Sequence, residues 1–418
     1  MIINNFMQSM YDSLKILDSK KLAIITLLGF SSGLPLALSG GTLQAWLATT
    51  PATVTTIGLF ALVGLPYTLK FLWAPILDRF EVLKIGRRKS WILLTQTLIA
   101  VMLLIMATIN PSEEVYPLAV LALMLSFLSA SQDIAFDAFR TDSLNKNERG
   151  LGAGLSVLGY RVGMIVSGAL ALILADKIGF GLTYSIMGVI MATNVFITLV
   201  AQEPNLEIKG PQSFHDAVIN PFVEFFSQNK HALLFLALVV LYKLGDAFAG
   251  TLTTTFLIRG PQFSLSEIGT INKTLGLFLS IFGAIFGGVI MSKIGLFRSL
   301  LYFGILQAIS NLSFFVMALV GKNFALFIFA VAFEQLSGGM GTAAFVALLM
   351  SLCNPRYTAT QFAMLSAASA IGRVFVGPPS GFLVEILGWA PFFLLTFMIA
   401  IPGILLLYAL QSELNSYS

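Results

Sequence analysis

Apolar runs of about twenty residues recur along this chain, and that feature constrains its fold more than any other. About 20 apolar residues in a helix cross a bilayer. A backbone surrounded by lipid must satisfy its own hydrogen bonds, which favours helices for runs of this length. Twelve spans can be marked: 22–48, 54–77, 91–109, 116–142, 151–175, 180–200, 231–257, 265–291, 299–320, 323–351, 358–385 and 388–411. Composition agrees. Of the 418 residues, 57% are hydrophobic and 11% charged, where an ordinary soluble domain carries roughly a quarter charged residues. Mean hydropathy is +0.89. The expectation is an all-α, multi-pass membrane protein. Residues 1–21 are polar and mixed and the run that follows is long enough to span, so no cleavable signal is expected.

The basic balance, with a pI near 9.1, would suit nucleic acid if the cations shared a face. They sit instead in short loops between apolar runs, so no nucleic-acid partner is expected. Lys15, Lys20, Lys21, Arg79, Lys84, Arg87, Arg88, Lys89, Lys146, Arg149, Lys209, Lys230, Lys293, Arg298 and Arg356 fall on one side, and Lys177, Arg259 and Lys322 on the other. Fifteen against three places both termini in the cytoplasm. The longest loop, 203–230, divides the spans six and six. Its Phe214, Val218, Phe222 and Phe225 fall at helical spacing and suit a helix lying on the membrane surface. The organisation read from this is an N-terminal segment 1–21, a six-helix half 22–202, the central loop 203–230, a second six-helix half 231–411 and a tail 412–418. The single cysteine, Cys353, excludes a disulfide within the chain and a cysteine metal cluster. Both histidines, His215 and His231, lie in or beside the long loop. No metal or cofactor site is expected.

The halves resemble each other. "GTLQAWL" at Gly41 recurs as "GTLTTTFL" at Gly250, and Ile57-Gly58 as Ile268-Gly269. Gly86 matches Gly295, and Arg161-Val162 with Ser167-Gly168 matches Arg373-Val374 with Ser380-Gly381. All lie at nearly one offset and in order, which supports a parallel duplication of six spans. The halves of the major facilitators are related in this way, with substrate held between them near mid-membrane.

Charge inside the spans is the next constraint. In "SASQDIAFDAFR", Ser129–Arg140, Asp133 and Asp137 are four apart and Arg140 is three further on, so the three share a helix face. Counted from the ends of their spans at about 1.5 Å per residue, Lys70, Asp133 and Arg161 lie at similar depth, about 12–15 Å. A charge at the bilayer centre costs at least ~2.5–3.5 kcal/mol, so these groups face a wet cavity or one another. Two readings stand side by side. One is a proton and substrate pathway, with Asp133 the coupling carboxylate and Asp137–Arg140 a cytoplasmic-side gate; the other is a static ion-pair network. The second half carries Lys243 and Asp246, three apart and able to neutralise each other, with Lys273, Glu334 and Arg373. Glu334 and Arg373 are candidates to pair, or Arg373 to hold an anionic substrate. Gln44, Gln132, Asn194, Asn272 and Gln335, with Trp46 and Tyr67, are candidate contacts for amides or sugars.

"DRFEVLKIGRRK", Asp78–Lys89, resembles the cytoplasmic loop signature of the major facilitators. Asp78 can pair with arginines or a helix N-terminus, so Asp78, Arg87 and Arg88 are candidate gate residues; topology alone would explain the arginines but not the aspartate. "GFSSGLP", Gly29–Pro35, matches G-x-S-x-G, but that motif needs a strand–turn–helix and a histidine base, and hydrolase chemistry is rejected. Gly29/Gly33, Gly159/Gly163, Gly283/Gly287 and Gly377/Gly381 fit close helix packing. Pro35 and Pro378-Pro379 are expected to bend their helices.

Together "GFSSGLPLALSGGTLQAWL", "LKFLWAPILDR", "GRRKSWIL" and "SASQDIAFDAFRTDSL" resemble the AmpG-type muropeptide permease family, a major facilitator branch related to acetyl-CoA transporters. The resemblance is close over about residues 25–165 and looser beyond. It implies proton-driven import of anhydro-muropeptides across the bacterial inner membrane, with no enzymatic step. It touches Gly29, Ser32, Gly33, Lys70, Asp78, Arg87, Arg88, Gln132, Asp133 and Asp137. The implied partners are the small-molecule cargo, protons and the lipid bilayer, with the chain a monomer. Another cargo, such as a siderophore or acyl-CoA, is the alternative within transport. A sensor or enzyme of cell-wall precursors is the alternative outside it.

Overall fold

The computed structural model describes residues 20–144, 148–204, 226, 231–353 and 358–416. The surface helix expected around Phe214–Phe225 lies outside them, as does His215. Among the described residues all regular structure is helical, and twelve helical runs are long and apolar enough to cross a membrane. In chain order they are Lys20–Ala48, Val54–Leu72, Arg87–Met106, Val115–Ser143, Leu151–Ile178, Phe180–Val200, Ala232–Arg259, Leu265–Ile294, Leu296–Val320, Phe324–Ser351, Met364–Leu387 and Trp389–Ala409. Each overlaps a span expected from hydropathy.

Several spans are interrupted, and local chemistry explains most of the breaks. The first stops being helical at Gly40 and resumes as Gly41–Ala48. Pro35 lies inside the preceding helix, Lys20–Ser39, and lacks the N–H that would bond a carbonyl four residues back. The second span passes from helix into 3₁₀ turns at Phe60–Gly64 and Lys70–Leu72, around Pro66 and Pro75, where the sequence suggests one helix through residue 77. The eleventh breaks at Val376, and Pro378-Pro379 open the new helix Gly377–Leu387. The seventh breaks at Lys243, with no proline to force it. Wide π turns interrupt the fifth span at Val166–Leu170 and the eighth at Gly269–Leu275.

By packing, the chain divides into two compact units. One holds residues up to Leu43 and from Leu69 to Gly210; the other holds Gln44–Thr68 and Pro211–Ser418. The segment Gln44–Thr68 therefore belongs to the first six spans by sequence and to the second unit by contact.

Small residues set the helix approaches within each unit. In the first, a methyl on Gly33 would stand 3.0 Å from Tyr160 Cα, and one on Gly159 3.0 Å from Phe30 N. Gly29 and Gly163 meet the backbones of Ser156 and Phe30 in the same seam. In the second, a methyl on Gly283 would lie 3.0 Å from Leu336 Cα and one on Gly287 2.7 Å from Met340 Cα. Gly377 and Gly381 lie against Gly58, Val54 and Thr55. With lipid as apolar as the side chains, such close backbone approach is a main source of helix–helix attraction.

Candidate functional site

The first unit contains a cavity of about 450 Å³ lined by Ser32 and Leu36 of the first span, Lys70 of the second, Asp133, Phe136, Asp137 and Arg140 of the fourth, and Ser156, Val157, Tyr160, Arg161 and Met164 of the fifth. The fourth-span helix, Val115–Ser143, is unbroken, so Asp133, Asp137 and Arg140 fall one above another as their spacing requires. The broken second span brings Lys70 to the same wall, and Trp73 seats that span: its Nε1–H donates to Ser131 Oγ at 3.0 Å and its ring lies 4.8 Å from Phe127.

The charges in this wall are unevenly matched. The Ser32 hydroxyl donates to Asp133 Oδ1, and Lys70 Nζ stands 3.9 Å from the other Asp133 oxygen. Arg140 bonds Asp137 at 3.1 Å and donates to Ser156 Oγ at 2.7 Å. Arg161 has no ion-pair partner among the described residues. The wall thus offers three cations and two carboxylates, with one guanidinium uncommitted, and suits an anionic group on a ligand.

In the second unit, Lys243 sits at the break in the seventh span, 8% exposed. Its Nζ lies 3.3 Å from Gln307 Oε1, 3.4 Å from Thr342 Oγ1 and 3.9 Å from Asp246. Lys273, in the π turn of the eighth span, donates to Thr254 Oγ1 at 2.9 Å. Glu334 accepts from Gln335 Nε2 at 2.9 Å. No ion pair joins Glu334 to Arg373 among the described residues, and Arg373 is exposed.

The model of the Major Facilitator Superfamily matches residues 25–375. The anhydromuropeptide permease of Escherichia coli (strain K12) is 50% identical over 410 residues, 98% of this chain and 83% of the relative. The chain is a major facilitator of the AmpG type. Solved structures share the fold at low identity. A nucleoside transporter, NupG, has a TM-score of 0.73 at 15% identity, covering 94% of this chain and 99% of that one. A POT family transporter in complex with 5-aminolevulinic acid has a TM-score of 0.73 at 11%, covering 94% and 96%. As an AmpG-type major facilitator with twelve apolar helices, the protein is a multi-pass transporter of the inner membrane.

Other candidates of this AmpG-type chain fall away from the cavity. Gln132 does not line it. It is 1% exposed and its Nε2–H donates to Ser31 Oγ at 2.9 Å, in a buried network where Gln96 Nε2 donates to the same hydroxyl at 2.8 Å and Thr198 donates to Gln96 at 2.6 Å. One residue along a helix is about 100° of rotation, which turns Gln132 to the packing face while Asp133 meets the cavity. Asn194 is likewise buried, its amide donating to Ile190 O at 2.8 Å. Gln44 is half-buried and Trp46 buried in the second unit.

At the loop signature, Arg88 pairs with Asp142 at 3.1 Å, both 11% exposed. The side chain of Asp78 lies outside the described ones, and Arg87 opens the third-span helix. Glu203 was missed from sequence. Its two carboxylate oxygens accept the backbone N–H of Arg88 at 2.8 Å and of Lys89 at 2.9 Å, capping that helix where its dipole favours negative charge. Its one signal is its place as the first acid after the sixth span. Gln307, Thr342, Ser156 and Tyr160 were also missed; uncharged side chains within apolar helices carry no pattern that marks them.

Proposed function

We propose that this chain imports anhydro-muropeptides across the bacterial inner membrane by proton-coupled alternating access. The six-helix halves, 22–202 and 231–411, joined by the loop 203–230, are the moving parts, and both termini are cytoplasmic. The protein works as a monomer in the bilayer and carries its cargo without chemical change. Half identity to a relative named for that cargo supports the substrate.

The observation that carries the reading is the cavity wall in which Asp133, held by Ser32, faces Lys70 beside an uncommitted Arg161. A muropeptide bears carboxylates, amides and sugar hydroxyls. Its acid group meets Arg161. A proton on Asp133 removes the attraction that holds Lys70, so proton and cargo are read at one wall. Lys243, Asp246, Glu334 and Arg373 serve the second half.

The test is uptake into proteoliposomes under an imposed proton gradient. Radiolabelled anhydro-muropeptide accumulates and a ferric siderophore does not. Accumulation of the siderophore alone, or binding of muropeptide without flux, overturns the reading.

A further inference from the structure

The segment Gln44–Thr68 is tied at two places in its first half to the seventh and eleventh spans. At its start, Arg259, the last residue of the seventh-span helix, donates to three carbonyls: Nε to Ala48 O at 2.9 Å, and Nη2 to Thr50 O at 2.7 Å and Leu47 O at 3.3 Å. Leu47 and Ala48 close the helix Gly41–Ala48 and Thr50 follows it, so the guanidinium gathers carbonyls at a helix end, where they have fewer partners along the chain; Leu47 O also accepts from the Thr50 N–H at 3.1 Å. Further on, Glu385 of the eleventh span takes two bonds from one residue, the Thr55 N–H at 2.9 Å and the Thr55 hydroxyl at 2.7 Å. At and beyond the second tie the backbones touch. A methyl on Gly381 would stand 2.6 Å from Val54 O and 2.7 Å from Thr55 Cα, and Gly377 lies against Gly58 and Ala61.

Two features separate this contact from ordinary core packing. Its polar ties are ionic groups bonded to backbone and hydroxyl, so they can be made and broken without repacking side chains. Glu385 is exposed and Arg259 only partly buried, so water competes for the same bonds and either tie can open at modest cost. Glycine surfaces add contact without interdigitated knobs that would have to be withdrawn. The strap is also covalently continuous at both ends with helices of the first unit, since residues 43 and 69 belong there.

We infer that Arg259 and Glu385 form a two-point latch on the strap Gln44–Thr68, and that its release is the step that opens the outer end of the transporter. The inference rests on the alternating-access reading above and adds the residues that hold one state. Under the proposed sidedness, the latch lies at the end remote from the basic loops. Weakening either tie shifts the population toward the unlatched state without touching the cavity of the first unit.

The experiment measures strap separation directly. Spin labels go on the exposed positions Leu59 and Phe382, each changed to cysteine in a Cys353→Ser background, and pulsed dipolar spectroscopy reads the distance distribution in nanodiscs without cargo. The unaltered latch gives a dominant short distance. Glu385→Gln and Arg259→Gln each raise the ratio of long to short populations by about tenfold. Thr55→Ala, which removes just one of the two Glu385 bonds, moves it in the same direction by less. Unchanged distributions in all three overturn the latch. If a charge variant fails to fold, Thr55→Ala decides alone. The readout needs no cargo, so a failure of the proposed muropeptide transport is seen separately, as absent uptake by the parent protein.

Discussion

Lys70 Nζ lies 3.9 Å from an Asp133 carboxylate oxygen whose partner oxygen accepts from Ser32. The pair is at the outer limit of an ion pair, and the lysine side chain is 36% exposed. The aspartate side chain is 13% exposed, so the pair is open to water mainly on the lysine side. The long separation and the second hold from Ser32 let the titrating group be replaced and its functional weight measured apart from folding.

Asp133→Asn keeps an acceptor for the Ser32 hydroxyl and loses the titrating group. The variant should fold, bind cargo and exchange it across the membrane, yet fail to accumulate it against a gradient. For the parent protein, an inward proton gradient drives uptake, so accumulation falls as external pH rises toward the internal value. In Asp133→Asn that dependence should vanish. Accumulation with the parent's pH dependence removes Asp133 as the coupling group.

Arg161→Gln should raise the apparent KM for an acidic cargo by about tenfold, equivalent to ~1.4 kcal/mol, with little change in melting temperature. A cargo analogue with its carboxylates amidated should not distinguish the variant from the parent. Equal KM values for the acidic cargo would show that the guanidinium meets no anion.

Gly159→Ala should destabilise by about 1–3 kcal/mol, since its methyl would press on the backbone of Thr26 and Phe30. Gly154, in the same helix, has open space where a methyl would go. Gly154→Ala should be neutral or stabilising by up to ~1 kcal/mol through helix propensity. Thermal unfolding of the two variants in detergent makes the comparison.

Arg88→Met strands Asp142 in a site where both partners are 11% exposed. Breaking such a pair from one side costs about 3–5 kcal/mol when fully buried, so a loss of about 3 kcal/mol is expected here. Arg88→Met combined with Asp142→Leu should cost less than Arg88→Met alone, because no charge is left without its partner. A double-mutant cycle on unfolding midpoints checks both statements.

Much of the molecule was legible before any coordinates. Spans follow from hydropathy because a bilayer allows few alternatives to a helix of the right length. Asp133, Asp137 and Arg140 share a wall because a helix fixes their spacing, and Lys70 and Arg161 were expected near them from depth alone. Gln132 was misread for a related reason. Adjacent residues on a helix face different neighbours, and sequence alone does not say which face meets the cavity.

What the sequence determined by itself is the number of helical spans, since hydropathy depends on local composition and counting. Tertiary structure alone decided the partners: Arg88 with Asp142 across 54 residues, Glu203 on the start of the third-span helix, and Glu385 on Thr55 across 330 residues. The physical reason is that hydropathy acts residue by residue along the chain. A hydrogen bond depends on the rotation and approach of two helices, and these are set by the packing of all their neighbours.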